Sequence, residues 1–331
     1  MNNVPPKKYP PFFLLLAGAL TVLIAGACLG TSSLEYSNIL DRDSTDFHIF
    51  WNLRVPRVLV AFGAGSGLAV CGMVFQALFL NTLATPFTLG VAGGASCGAA
   101  FVIFIGGFSG LYVGPSVTLG ALIGAGLAMA LVLAFGQTRM GHQRHVILLA
   151  GVAVSFFFSS LLLFIQSLSS FYQSFQIIRW LMGGISVAGY REVLVLLPVL
   201  IPCFLLLFRF GPHLNLLLMG EDIAQSRGLE VAKTRRLLFL VVSVMVASIV
   251  SVTGPIGFVG MVIPHICRLL WGGDHRQLAP ASLLVGGTAL VVCDLVSRFL
   301  MAPSGIPVGV VTSLLGAPFF FFLLLSRSYR F

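Results

Sequence analysis

Apolar runs broken by charges, Pro/Gly clusters and short polar stretches recur along the whole chain, at residues 12–30, 55–79, 88–107, 114–135, 146–168, 191–208, 236–252, 258–271, 279–299 and 307–325. An α-helix needs roughly 20 apolar residues to cross a hydrocarbon core of about 30 Å. The pattern therefore predicts about ten membrane-spanning helices joined by short connections. An even number of crossings returns the chain to the side on which it began. Within the runs, Gly63 and Gly67, Gly94 and Gly98, Gly120 and Gly124, and Gly305 and Gly309 each stand four residues apart. In lipid such small-residue ridges let helix backbones approach and gain dispersion contacts. They predict a tightly packed bundle and not a wide pore. Neither a short-period repeat nor an inverted half-to-half duplication is visible in the pattern.

Composition agrees with that reading. With 58% hydrophobic and 9% charged residues among 331, the chain has too little polar surface to face water as a soluble domain. The expectation is an all-α, polytopic membrane protein whose single transmembrane domain occupies residues 1–331, with no room for a large soluble domain. Lys7 and Lys8 precede an apolar run from Phe12 to Leu29 in the manner of a secretory signal, and Gly26-Ala27-Cys28 faintly mimics a cleavage site. The run is long enough to span and reads as a retained first helix. Cys28, Cys71, Cys97, Cys203, Cys267 and Cys293 all lie in apolar stretches, which suits small core residues better than a disulfide framework. No Cys/His cluster has metal-ligand spacing, so neither a metal site nor a cofactor is expected.

Charge adds an orientation. If the N-terminus lies inside, the inner connections hold Lys7, Lys8, Arg139, Arg144, Arg209, Arg227, Lys233, Arg235, Arg236, Arg268, Arg276, Arg327 and Arg330. The outer ones hold Arg42, Arg54, Arg57, Arg179, Arg191 and Arg298. Cations accumulate on the cytoplasmic side of membrane proteins, so both termini are expected there. Glu35, Asp41, Asp43 and Asp46 fall in the first outer connection. The net charge of +9 is thus an orientation signal, and no nucleic-acid partner is implied.

The longest polar interruption in the second half runs from Gly211 to Arg236. Within it, Glu221 and Asp222 stand near the positive end of a short helix that Gly228 stops. By composition alone this could be an ordinary solvated connector. Four segments together carry more. They are Gly220-Glu221-x-x-Ala224-x-x-x-Gly228; Gly254-Pro-Ile-Gly-Phe-Val-Gly-Met-Val-Ile-Pro-His-Ile-Cys-Arg268; Asp274-His-Arg; and Ile306-Pro-Val-Gly-Val-Val-Thr-Ser-Leu-Leu-Gly-Ala-Pro318. With Arg54-Val-Pro-Arg57 and Asn81-Thr-Leu-Ala-Thr-Pro86 upstream, the chain resembles, over nearly its whole length, the iron-chelate, haem and cobalamin permeases of ATP-binding-cassette (ABC) importers.

The resemblance implies a type II importer permease of ten helices in a bacterial inner membrane, dimerising around a central path. It implies as partners two copies of an ATPase subunit and a periplasmic or lipid-anchored substrate-binding protein. The segment from Gly220 to Leu229, with Gly220, Glu221, Asp222, Ala224 and Gly228, would be the coupling helix that seats in the ATPase. Arg54, Arg57 and Arg298 would meet carboxylates of the binding protein, for which guanidinium is suited. The alternative is that they reach lipid phosphate, or in the case of Arg298 pair with Asp294 one helical turn away.

The resemblance also implies an inner gate made of Asn81, Thr82 and Leu83 with Arg144 and His145. Thr82 departs from the proline usual in the family, and Arg144 and His145 stand where small hydroxyl residues can occur. Ser155, Ser159, Ser160 and Gln166, set among Phe156, Phe157 and Phe158, would line the path. Those serines could also satisfy themselves on the preceding helical turn.

Two further features bear on the energy source. A phosphate loop requires a second glycine before Lys-Ser/Thr, and at the nearest approach, Gly228 to Thr234, Ala232 occupies that place. The chain is therefore expected to hydrolyse no ATP itself. The other class of function, an ion-coupled secondary transporter, needs ionisable groups near the midplane. His265 beside Pro264 reads as a hydrogen-bonding group at a kink, and Asp294 lies near a span end with its own arginine.

Overall fold

A computed structural model describes residues 11–32, 35–82, 84–85, 90–109, 114–136, 144–187, 189–300 and 305–325. Helices α1 (Phe12–Cys28), α2 (Thr45–Phe47), α3 (Val55–Phe79), α4 (Val91–Ser109), α5 (Gly114–Gly136) and α6 (Arg144–Leu168) form the first half. The second half comprises α7 (Phe171–Leu181), α8 (Arg191–Arg209), α9 (Gly211–Leu218), α10 (Glu221–Ser226), α11 (Val231–Thr253), α12 (Val259–Trp271), α13 (His275–Phe299) and α14 (Val308–Leu325). Among the described residues, six helical segments are long and apolar enough to cross a membrane, and four shorter apolar helices, α1, α4, α12 and α14, raise the number to the ten expected. No strand occurs among the described residues.

Burial sorts these helices into a centre and a periphery. The span containing α3 is 89% buried and α11 is 72% buried, whereas α6 is only 17% buried. In a membrane protein the exposed apolar surface of α6 is open to lipid or to another chain. α3 and α11 run antiparallel. Ile249 packs at Gly67, the Cys71 thiol lies 3.7 Å from the Val242 carbonyl, and the rings of Phe75 and Phe239 are 5.7 Å apart. The start of α3 and the start of α11 therefore lie at opposite ends of the bundle.

Glycine lets the helices touch backbone to backbone. A Cβ on Gly94 would overlap the Gly124 carbonyl, and one on Gly98 would overlap that of Gly120, so α4 and α5 cross at the ridges the sequence pattern marked. Gly63 and Gly67 instead face side chains of α8 and α11. The tight crossings of α3 use Gly65 against Gly286 of α13 and Gly72 against Gly260 of α12, glycines with no four-residue spacing to reveal them.

Two regions depart from regular helix. Pro56 lacks the N–H that would continue a regular ladder into α3, and the chain enters that helix through a π-helical turn, His48–Arg54. There Val55 donates to the Phe50 carbonyl five residues back. The second region is the elbow between α11 and α12. Phe258 adopts a left-handed φ of 67°, rare and strained for a bulky residue, with its ring on Gly316 of α14. The 13 residues of α12 span about 20 Å, short of a bilayer core, so the elbow brings non-helical backbone to membrane depth. Gly184 N donates to Thr253 O at 2.8 Å and Gly309 N to Gly183 O at 3.1 Å, which satisfies that backbone within the protein.

Candidate functional site

The end of the bundle where α3 begins gathers the three arginines singled out in the sequence. Asp294 of α13, with a fully buried side chain, sits between two of them. Arg57 approaches side-on, its Nε 3.1 and 3.2 Å from the two carboxylate oxygens and its Nη2 2.8 Å from Oδ1. Arg298 donates to Oδ2 through Nε at 2.8 Å and through Nη2, forming the i,i+4 pair, and caps α1 through Nη1 to the Gly26 carbonyl at 3.0 Å. Arg54 is buried as well. Its guanidinium donates to the Cys28 carbonyl at 2.7 Å and to the Ser32 carbonyl and hydroxyl, which closes off the C-terminal end of α1. Of the three, Arg57 keeps substantial exposure, about a third of its side chain.

At the opposite end, α10 stands on the surface. Its acids Glu221 and Asp222 occupy the first turn, where the helix dipole favours them. The helix proper is Glu221–Ser226, shorter than the predicted segment, and the remaining residues are its caps. Gly220 enters at φ 112° and Gly228 leaves at φ 80°, conformations that a side chain would strain. Leu229 N closes the end by donating to Ala224 O at 3.0 Å. Ala224 is the buried foot, while Asp222, Ile223, Gln225, Ser226 and Arg227 face outward. An ion pair braces the helix: Arg235 Nη2 of α11 lies 2.8 Å from Glu221 Oε1. The platform beneath is fixed by Asn215 of α9, which donates to Asp274 Oδ1 at 2.7 Å and accepts from His275 N at 2.9 Å.

Of the residues assigned to an inner gate, Asn81 is exposed just after Leu80 ends α3 in a left-handed turn, and Thr82 is half-buried. Arg144 and His145 open α6, but their side chains, like Leu83 as a whole, lie outside the described residues. Along α6, Ser155 donates to the Gly151 carbonyl at 2.8 Å and lies against Gly93 of α4, the self-satisfied state open to a helical serine. Ser159 and Ser160 are exposed with Phe156 and Phe157, and Gln166 is half-buried. Much of this helix surface is left uncovered by the described residues of the chain.

The profile of the FecCD transport family matches residues 15–326. This chain belongs to that family. It is 35% identical to the hemin transport system permease protein of Yersinia pestis, over 98% of each chain. It is 36% identical to the vitamin B12 import system permease protein of Klebsiella pneumoniae subsp. pneumoniae, over 94% of this chain and 92% of that protein. A solved metal-chelate type ABC transporter in an inward-facing conformation superposes with a TM-score of 0.83 at 30% identity, covering 95% of this chain and 98% of the other. The chain is accordingly an ABC importer permease, a transport component.

Seen as a FecCD permease, the molecule adds residues that sequence pattern alone passes over. Asp294 is visible in the sequence as a neighbour of Arg298 but not as the partner of Arg57, 237 positions away. Arg235 counts there as one more inner cation, and nothing local ties it to Glu221. α7 falls inside a connection of the apolar pattern, although Ser170 and Gln173 spell a capping box that the structure forms.

Proposed function

We propose that this permease carries a metal chelate across a bacterial cytoplasmic membrane, with a ferric siderophore first among candidates and haem or cobalamin next. Two copies would enclose the path, both termini would face the cytoplasm, and residues 1–331 would act as one domain. Two ATPase subunits would dock on α10, and a periplasmic or lipid-anchored binding protein would deliver cargo at the arginine end. Asn81, Thr82, Leu83, Arg144 and His145 would close the inner mouth, with the exposed face of α6 lining the path.

The observation that supports this reading best is α10 itself: a short surface helix bounded by Gly220 and Gly228 and braced by Glu221–Arg235 at the start of the central helix α11. Such a helix can take a push and pass it on as a rigid body. The docking reading at the far end rests on Arg57, since Arg54 and Arg298 are engaged inside. The test is reconstitution in vesicles with the ATPase and binding protein, offering a ferric siderophore, haem and cobalamin in turn. Uptake of one of them is expected only with ATP and both partners. Uptake driven by a proton or sodium gradient alone would replace this reading with the ion-coupled one.

A further inference from the structure

The charges at the arginine end do not balance. Asp294 offers one negative charge to two guanidinium groups, and all three side chains are packed together, so one positive charge is left over. Where that excess emerges follows from the donors. Arg298 spends Nε and Nη2 on Asp294 and Nη1 on the Gly26 carbonyl, and its side chain is 9% exposed. Each of its three nitrogens is engaged inside, and so little of the side chain is exposed that it has no surface to offer a partner. Arg57 uses Nε and Nη2 on Asp294, and among the described residues its Nη1 edge bonds to nothing. Its side chain is 33% exposed.

We propose that Arg298 is a positioning residue for docking that never touches the docked protein. By donating to Oδ2 of Asp294, an oxygen that Arg57 Nε also reaches at 3.2 Å, it takes a share of that carboxylate's charge, so Arg57 stays oriented by Asp294 yet incompletely neutralised. The unbalanced charge then faces outward on Arg57, where a carboxylate of the binding protein can meet it. Without Arg298, Asp294 and Arg57 form a closed neutral pair and the attraction is lost. This inference rests on the docking reading under Proposed function.

The test uses the assembled transporter and the binding protein that supports uptake in the reconstituted system, with affinity and association rate measured at low and high salt. Arg57→Gln is expected to weaken binding about tenfold, mainly through a slower association. Arg298→Gln should do the same to within a factor of about three, and the double variant should bind more weakly than either, because it leaves the Asp294 carboxylate without a counter-charge to repel the partner's own. The decisive variant is Asp294→Asn/Arg298→Gln, which deletes one charge of each sign and leaves Arg57 positive. It should recover binding to within about threefold of the unaltered chain, which also rules out general damage by Arg298→Gln. The proposal is overturned if Arg298→Gln binds like the unaltered chain, or if the paired variant binds as weakly as Arg298→Gln. Failure of the unaltered chain to bind any such protein would instead overturn the docking reading, and this inference with it.

Discussion

At the arginine end a fully buried carboxylate is closed in by two guanidinium groups, whereas at the α10 end Glu221 is 38% exposed and meets Arg235. The first cluster ties α1, α3 and α13 together through hydrogen bonds to both Asp294 oxygens and to the Gly26 carbonyl. The second ties a six-residue helix to the rod behind it at the surface. The contrast separates two uses of an ion pair. Buried, it makes the fold depend on every member, because a charge left alone in a low-dielectric site is costly. With the carboxylate partner 38% exposed and open to water, although Arg235 is only 14% exposed, it adds less to stability and mainly fixes orientation.

The contrast can be broken most forcefully at Asp294. Asp294→Ala leaves two guanidinium groups facing each other without a counter-charge and should cost about 3–5 kcal/mol. The checking measurement is thermal unfolding of the purified protein in detergent, and an unchanged midpoint would remove the cluster's structural role. Next comes a control that involves no charge. Gly98→Val forces a side chain into the Gly120 backbone, and overpacking of this kind costs about 1–3 kcal/mol, read by the same melt. Smallest in stability should be Glu221→Gln, at or below about 1 kcal/mol. Uptake, however, should fall to background while the chain still inserts, and normal ATP-driven uptake by this variant would end α10's claim to be the coupling element.

Legibility in the sequence followed the same division. Span edges came through well because lipid imposes one rule on every crossing: the run at 55–79 coincides with α3, and 191–208 ends one residue short of α8. Where helix and lipid part company the edges moved. α11 starts at Val231 and not at 236, since Lys233, Arg235 and Arg236 are helical yet too polar to be counted in an apolar run. α10 was readable because its stops are glycines and its acids sit at the favoured end. The arginine cluster was readable only in part. The Asp294–Arg298 pair has helical spacing, but the approach of Arg57 is set by how α3 crosses α13 at Gly65 and Gly286, and no local pattern encodes that crossing.

The glycine contacts also bear on where this protein can change shape. Backbones pressed together at Gly94–Gly124, Gly98–Gly120, Gly65–Gly286 and Gly72–Gly260 leave no slack for sliding, so α4 with α5, and α3 with α12 and α13, behave as two stiff panels. α11 meets α3 through side chains such as Met245 and Ile249, and α6 leans on the α4–α5 panel. A passage wide enough for a bulky solute would thus have to open along these softer joints. On the proposed reading of α6 as path lining, a change of cargo size would be sought on the exposed face of α6 and not at the glycine crossings.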